Sequence, residues 1–186
     1  MCYRNKTLFG GNQMRTKRVI VVPYDYKWND EFQEIKSYLE KALENRILAI
    51  EHVGSTSIEG LWAKPIIDID IIIESYDKFQ EVKACLGNLG YYYEGDLGIK
   101  YREAFGYIEQ REVMTHHLYV CPQDSEELKR HIVFRNYLRT HKEDREKYSK
   151  IKLEAAIKYP TDIDSYIETK SPCITEIYKK CGLIES

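Results

Sequence analysis

Two aspartates, Asp68 and Asp70, lie two residues apart in Ile66-Ile67-Asp68-Ile69-Asp70-Ile71-Ile72-Ile73. On a strand, side chains at i and i+2 share a face, so both carboxylates point the same way, about 7 Å apart at the backbone. Ile67, Ile69, Ile71 and Ile73 take the opposite face and anchor the strand in a core. Two like charges beside a core are costly unless something neutralises them. Mg²⁺ or Mn²⁺ does so through carboxylate oxygens and keeps water or phosphate oxygens as its other ligands. Upstream, Gly54-Ser55-Thr56-Ser57 leaves a predicted strand and opens a turn or short helix. Glycine lets a backbone approach a ligand closely, and the turn's N–H and hydroxyl groups make an anion site. Phosphate on that turn and a metal on Asp68 and Asp70 would together hold a nucleoside triphosphate. The metal would polarise the reacting phosphorus and stabilise the leaving pyrophosphate.

Each of these features also has a plainer reading. The aspartates can line the solvated face of an edge strand, and Thr56 with Glu59 can form a helix capping box. Arg102, Arg135 and Arg139 can clamp phosphates through two parallel bonds or serve as surface ion-pair partners. Lys64, just before Pro65, can reach the phosphates or remain exposed. His52 reads as a hydrogen-bonded structural histidine. Of His116 and His117, adjacent on a strand, only one ring can face the site. Trp28 reads as core.

The elements that must position these groups form a mixed α/β pattern. A short strand is predicted at Val19–Val22, then a helix capped by Asn29 or Asp30 with an apolar stripe of Trp28, Phe32, Ile35, Leu39 and Leu43. Strands follow at Ile47–Val53, Ile66–Ile73, Tyr91–Glu94, Ile99–Ile108 and Val113–Val120, the last two as a hairpin turning near Glu109-Gln110. A helix at Asp77–Leu89 separates the second and third of these. After Pro122 the chain turns helical: Asp124 to Thr140, Glu143 to Lys158, and Asp162 to Cys181 with an interruption near Pro172. Residues 1–16 read as a flexible extension, with Met14 an alternative start. Residues 17–186 read as one domain, an α/β core at 17–122 and a helical tail at 123–186.

Composition narrows the partners. In 186 residues, 28 Lys and Arg face 30 Asp and Glu, a formal net charge of −2. That balance argues against a long nucleic acid held by a bulk positive field, yet leaves room for a small phosphate-bearing ligand. No apolar run nears the ~20 residues of a membrane span. With no secretory leader visible, the sequence reads as cytoplasmic. Five cysteines without CxxC spacing suggest neither a disulfide framework nor a zinc site.

A strand, a Gly-Ser turn and an Asp-x-Asp strand together resemble the polymerase-beta-type nucleotidyltransferase signature. More specifically, His52-Val53-Gly54-Ser55-Thr56-Ser57, Gly60-Leu61 and Ala63-Lys64-Pro65-Ile66-Ile67-Asp68-Ile69 resemble the GrpB family. So do Trp28 with Phe32, Leu89-Gly90-Tyr91, Arg102, His117-Leu118 with Val120, Phe134-Arg135 with Tyr137-Leu138-Arg139, Tyr148 with Lys152, and Lys170. The resemblance spans residues 19–178. It implies a nucleotidyltransferase-type mixed sheet, and with the residues above the leading expectation is Mg²⁺-dependent transfer of a nucleotidyl group to a small-molecule or protein acceptor. Asp68 and Asp70 would bind metal and Gly54 to Ser57 would cradle phosphate. Some relatives of the family are fused to dephospho-CoA kinase, which points toward nucleotide or coenzyme metabolism. The chain departs from the family pattern at Glu59, where proline is usual, and at Tyr119, where a second histidine is usual. The strand expected to carry a third carboxylate reads His116-His117-Leu118-Tyr119-Val120. His117 would then serve as general base or metal ligand, with Glu103 or Glu112 as substitutes. The alternative is a nucleotide-binding module without turnover, and a weaker one is an interaction partner of a coenzyme-biosynthesis enzyme.

Overall fold

The computed structural model describes residues 18–107 and 113–185. Its centre is a five-stranded sheet built from β1 (Ala49–Val53), β2 (Ile67–Ile73), β3 (Tyr91–Gly95), β4 (Glu103–Tyr107) and β5 (His116–Pro122). The spatial order is β1-β2-β5-β4-β3. Only the central β2–β5 pair is parallel, and the other three pairs are antiparallel. This is a mixed α/β architecture with C-terminal helices, as its sequence pattern predicts.

The isoleucine face of β2 is the core. Ile67, Ile69, Ile71 and Ile73 are each fully buried, and burial of such a side chain stabilises by about 1.5–3 kcal/mol. Helices α1 (Lys27–Leu43) and α2 (Phe79–Asn88) cover this face with Trp28, Phe32, Ile35, Leu39 and Leu43 from one and Phe79, Val82 and Leu86 from the other. On the opposite face the register places Val53, Asp68 and His117 in one row and Glu51, Asp70 and Tyr119 in the next. Helix α3 (Glu126–Thr140) crosses that face, and α4 (Lys142–Lys158) and α5 (Ile163–Lys180) complete the helical portion. The latter pair builds two smaller cores, one around Ile58, Leu61, Leu138 and Tyr148, the other around Val19, Ala155 and Tyr166.

Several local expectations change. Val19–Val22 forms no full strand: Val22 alone bridges Ala63, while the Val19 N–H bonds Pro160 O at 2.8 Å and its side chain packs on α4 and α5. Tertiary packing thus takes a segment whose propensity favoured a sheet. Helix α1 starts at Lys27, whose N–H is accepted by Asp25 Oδ1 at 3.0 Å, and neither Asn29 nor Asp30 caps it. Of Ile99–Ile108, Ile108 lies outside the described residues, and of the rest Glu103–Tyr107 pairs as a strand, because Leu97, Gly98 and Tyr101 adopt positive φ in the preceding turn. The turn near Glu109-Gln110 lies outside the described residues, as do residues 1–16. Helix α5 runs through Pro172 without interruption, held on both sides by buried Tyr166, Cys173 and Ile177. Among the described residues no helix is long and apolar enough to cross a membrane.

Candidate active site

At the exit of β1 the chain turns at Gly54 (φ 68°) into a single helical turn, Ser55–Ser57. The glycine is needed because Asp68 sits against it: a Cβ there would lie 2.0 Å from Asp68 Oδ2. The turn is fastened from within. Ser57 Oγ donates to Gly54 O at 2.6 Å, and Thr56 Oγ1 donates to Ile66 O at 3.1 Å. His52 shares a 3.0 Å hydrogen bond with Thr56 Oγ1. Burial lowers the His52 pKa to about 4, so this ring is neutral. It is structural, as its place at a strand end suggests.

Beside this turn opens a cleft of about 200 Å³. Ser55, Asp68 and His117 contribute from the sheet side, Lys64 and Ile66 from the approach to β2, and Lys152, Tyr166 and Lys170 from α4 and α5. His117 Nδ1 lies 2.8 Å from Asp68 Oδ1. Burial pushes the Asp68 carboxyl up, but His117, Lys64 and His131 together hold it below the ordinary carboxylate value. The cleft is cationic otherwise. Burial lowers Lys64, and burial together with Lys64 brings Lys170 down to about 8. Lys152 is 2% exposed, its Nζ 3.0 Å from Ser55 Oγ and 4.5 Å from the Tyr148 ring centroid. Lys170 Nζ lies 4.9 Å from the centroid of Tyr166. Among the described residues no carboxylate pairs with any of these three lysines, and Asp68 is the only acid lining the cleft. Lys64 and Lys170, partly removed from water with Asp68 as the one acid beside them, leave the cleft with positive charge that an anion could offset.

Asp70 shares the strand face with Asp68 but does not line the cleft. It is fully buried, and its Oδ2 lies 2.7 Å from His131 Nδ1 on α3. Although burial alone would lower it, the His131 pKa is raised to about 10 by Asp70 and Glu127, so the ring is an imidazolium. Asp70 Oδ1 is buried without a hydrogen-bond partner. An orphaned carboxylate oxygen beside a second carboxylate is a hard donor pair of the kind Mg²⁺ or Mn²⁺ takes. Among the described residues, however, no three His, Cys, Asp or Glu side chains gather around one point that would hold a metal.

The arginines lie elsewhere. Arg135 donates to Glu51 Oε2 at 2.6 Å and to His52 O at 2.8 Å, and Arg139 donates twice to Ser57 O. Together with Thr56 and Ser57 they line a separate recess on the other side of the turn. They tie α3 to the turn, and their bonds are to protein oxygens. Arg102 stacks over Tyr119, 4.6 Å from its centroid, and faces Glu127 at 3.9 Å. Of the described candidates to stand in for a third carboxylate, His117 reaches the cleft and Glu103 does not. Glu103 is buried and accepts from the hydroxyls of Tyr76 and Tyr93, and Glu112 lies outside the described residues. His116 turns away from the cleft, bonded to Tyr91 and stacked on Tyr107. Sequence spacing gave no functional role to Lys152, Lys170 or His131, which come from helices far along the chain, Lys152 and His131 lying 97 and 61 residues beyond their partners Ser55 and Asp70. The available signal was the resemblance of Lys152 and Lys170 to family positions.

Fold and cleft together define a small α/β protein with a lysine-rich cleft beside an Asp–His pair. The GrpB protein family model matches residues 18–180, and the chain belongs to the GrpB family. The crystal structure of conserved protein GrpB from Enterococcus faecalis superposes with a TM-score of 0.76 at 33% identity, covering 87% of this chain and 96% of that one. UPF0157 protein YqkA of Bacillus subtilis is 34% identical over 158 residues, 85% of this chain and 46% of that protein. A dephospho-CoA kinase of Mycolicibacterium paratuberculosis is 24% identical over 193 positions, 90% of this chain and 47% of the kinase. The chain thus spans about half the length of these two relatives.

Proposed function

We propose that the cleft binds a nucleoside triphosphate and that the protein transfers its nucleotidyl group to a small-molecule or protein acceptor with Mg²⁺ or Mn²⁺ as cofactor. The observation that carries this reading is the convergence of Lys64 and Lys170 on the Asp68–His117 pair, whose aspartate is the one acid lining the cleft among the described residues. Phosphate oxygens supply the counter-charge those lysines lack. With Asp68 Oδ1 accepting from Nδ1–H, the His117 ring presents Nε2 as a proton acceptor toward an attacking hydroxyl. A divalent cation would rest on Asp68 and the orphaned oxygen of Asp70, polarising the reacting phosphorus and stabilising the departing pyrophosphate. The likeness to a dephospho-CoA kinase agrees with a ligand that carries a nucleotide. A formal charge of −2 makes a long nucleic acid a poor acceptor.

The test is calorimetric binding of a non-hydrolysable triphosphate with Mg²⁺, followed by pyrophosphate release across a panel of acceptors. Binding that weakens at least about tenfold in Lys64→Met and Lys170→Met supports the site, that factor being about 1.4 kcal/mol. Binding indifferent to both substitutions overturns it. A second reading, binding without turnover, is favoured by the lone cleft carboxylate. It is chosen if the triphosphate binds and none of the acceptors tested yields pyrophosphate.

A further inference from the structure

Lys152 is the most deeply buried lysine of the cleft, and nothing in the transfer outlined above uses it. Among the described residues its Nζ has one side-chain hydrogen-bond partner, the hydroxyl of Ser55 at 3.0 Å. Ser55 is half-buried and opens into the cleft at the exit of β1. The remaining neighbours of the amine are the Tyr148 face at 4.5 Å and, more distantly, Lys170 and Asp68.

From this geometry we propose that Ser55 is a nucleophile toward phosphorus and Lys152 its general base. Burial, reinforced by Lys170, holds the Lys152 ammonium far below the ordinary lysine range, while Asp68 and Cys173 pull weakly the other way. A neutral amine has a lone pair, and the same 3.0 Å contact then carries the serine proton toward nitrogen. A serine hydroxyl is a weak nucleophile until a base takes its proton, and lysine serves that role in other serine enzymes. The step balances as follows. Ser55 Oγ forms a bond to the phosphorus of a phosphate ester or anhydride, and the bond from phosphorus to its leaving oxygen breaks. That oxygen departs with the electron pair, and the hydroxyl proton passes to Lys152 Nζ. Lys64 and Lys170, on the other walls of the cleft, face the charge that builds on the phosphoryl oxygens. The outcome is a covalent phosphorus ester on Ser55. This inference rests on the cleft being a phosphate site, as proposed above, and not on which group is finally transferred.

A fluorophosphonate probe tests it, since the same attack on phosphorus expels fluoride and leaves a stable adduct. Intact mass and peptide mapping should show one equivalent on Ser55, none in Ser55→Ala, and protection by a triphosphate. Lys152→Arg carries a fixed positive charge and cannot accept the proton, so labelling should slow on the order of a hundredfold. Lys152→Met, apolar and of similar length, should show the same loss and serves if arginine prevents folding. Labelling of Lys152→Arg at the wild-type rate would show an electrostatic or structural lysine and overturn the proposal. So would a wild-type protein that binds a fluorescent triphosphate yet takes no label at Ser55, an outcome that leaves the nucleotide site standing. If the triphosphate fails to bind while Ser55 labels through Lys152, the dyad stands and the nucleotide reading falls.

Discussion

Gly54 shows how a single residue can be fixed by a charged neighbour. A motif of this kind invites the reading that glycine makes space for a ligand. Here the space is taken by Asp68, whose Oδ2 would lie 2.0 Å from an added Cβ, and the backbone stands at φ 68°. Gly54→Ala should therefore cost at least about 3 kcal/mol, combining a disfavoured conformation with a forced displacement. Urea denaturation measures this loss. Gly60→Ala is the comparison, since φ is 79° but the nearest atom is the flexible Arg145 Nε at 3.4 Å. Its cost should stay near the 1–2 kcal/mol of the conformation alone, about. Equal costs at the two glycines would mean that the Asp68 contact relaxes freely. That Asp68 and Asp70 share a face was legible because strand geometry repeats every two residues. Their different fates were not, because spacing along β2 says nothing about which side chains approach from α3, α4 and α5.

Elements are joined by charges that a local reading cannot pair. Helix α3 is bound to the sheet through His131 on Asp70 and Arg135 on Glu51. Helix, strand and sheet expectations held where one face was continuously apolar, as in α1 and β2. They failed where the environment changed within a few residues, as at Val19–Val22 and before Glu103. The α3 contact makes a pH-dependent prediction. The folded His131 pKa is about 10 against an ordinary 6.5, so the imidazolium contribution is complete below pH 6.5 and is lost as pH rises toward 10. Stability of the wild type should fall across that window. His131→Gln should remove this part of the slope and, below pH 6.5, cost about 3–5 kcal/mol by leaving the buried Asp70 charge without its partner. Denaturant melts at the two ends of the window check both. A wild-type slope that persists in His131→Gln would assign the coupling elsewhere.

Across the whole molecule, the cleft exists only because the helical portion docks on the open face of the sheet. Ser55, Asp68 and His117 come from the sheet side, and Lys152, Tyr166 and Lys170 come from α4 and α5. The sequence separation between these groups hid the cleft, although each half was visible as elements. The assembly has a consequence for ligand binding. The Lys170 pKa is about 8, held down by burial and by Lys64 against the pull of Asp68. A bound phosphate favours the ammonium form, so ligand raises this pKa and binding takes up a proton as pH passes through about 8. Affinity for a triphosphate should be greatest below that point and decline above it. Calorimetry in buffers of different ionisation enthalpy should show proton uptake near pH 8 in the wild type and less of it in Lys170→Met. Screening predicts that added salt weakens binding as well, though less than for an exposed site because the cleft is partly closed to ions. If affinity rose with pH through 8 instead, Lys170 would be facing away from the ligand's charge, and α5 would be a wall of the cleft without being part of its receptor.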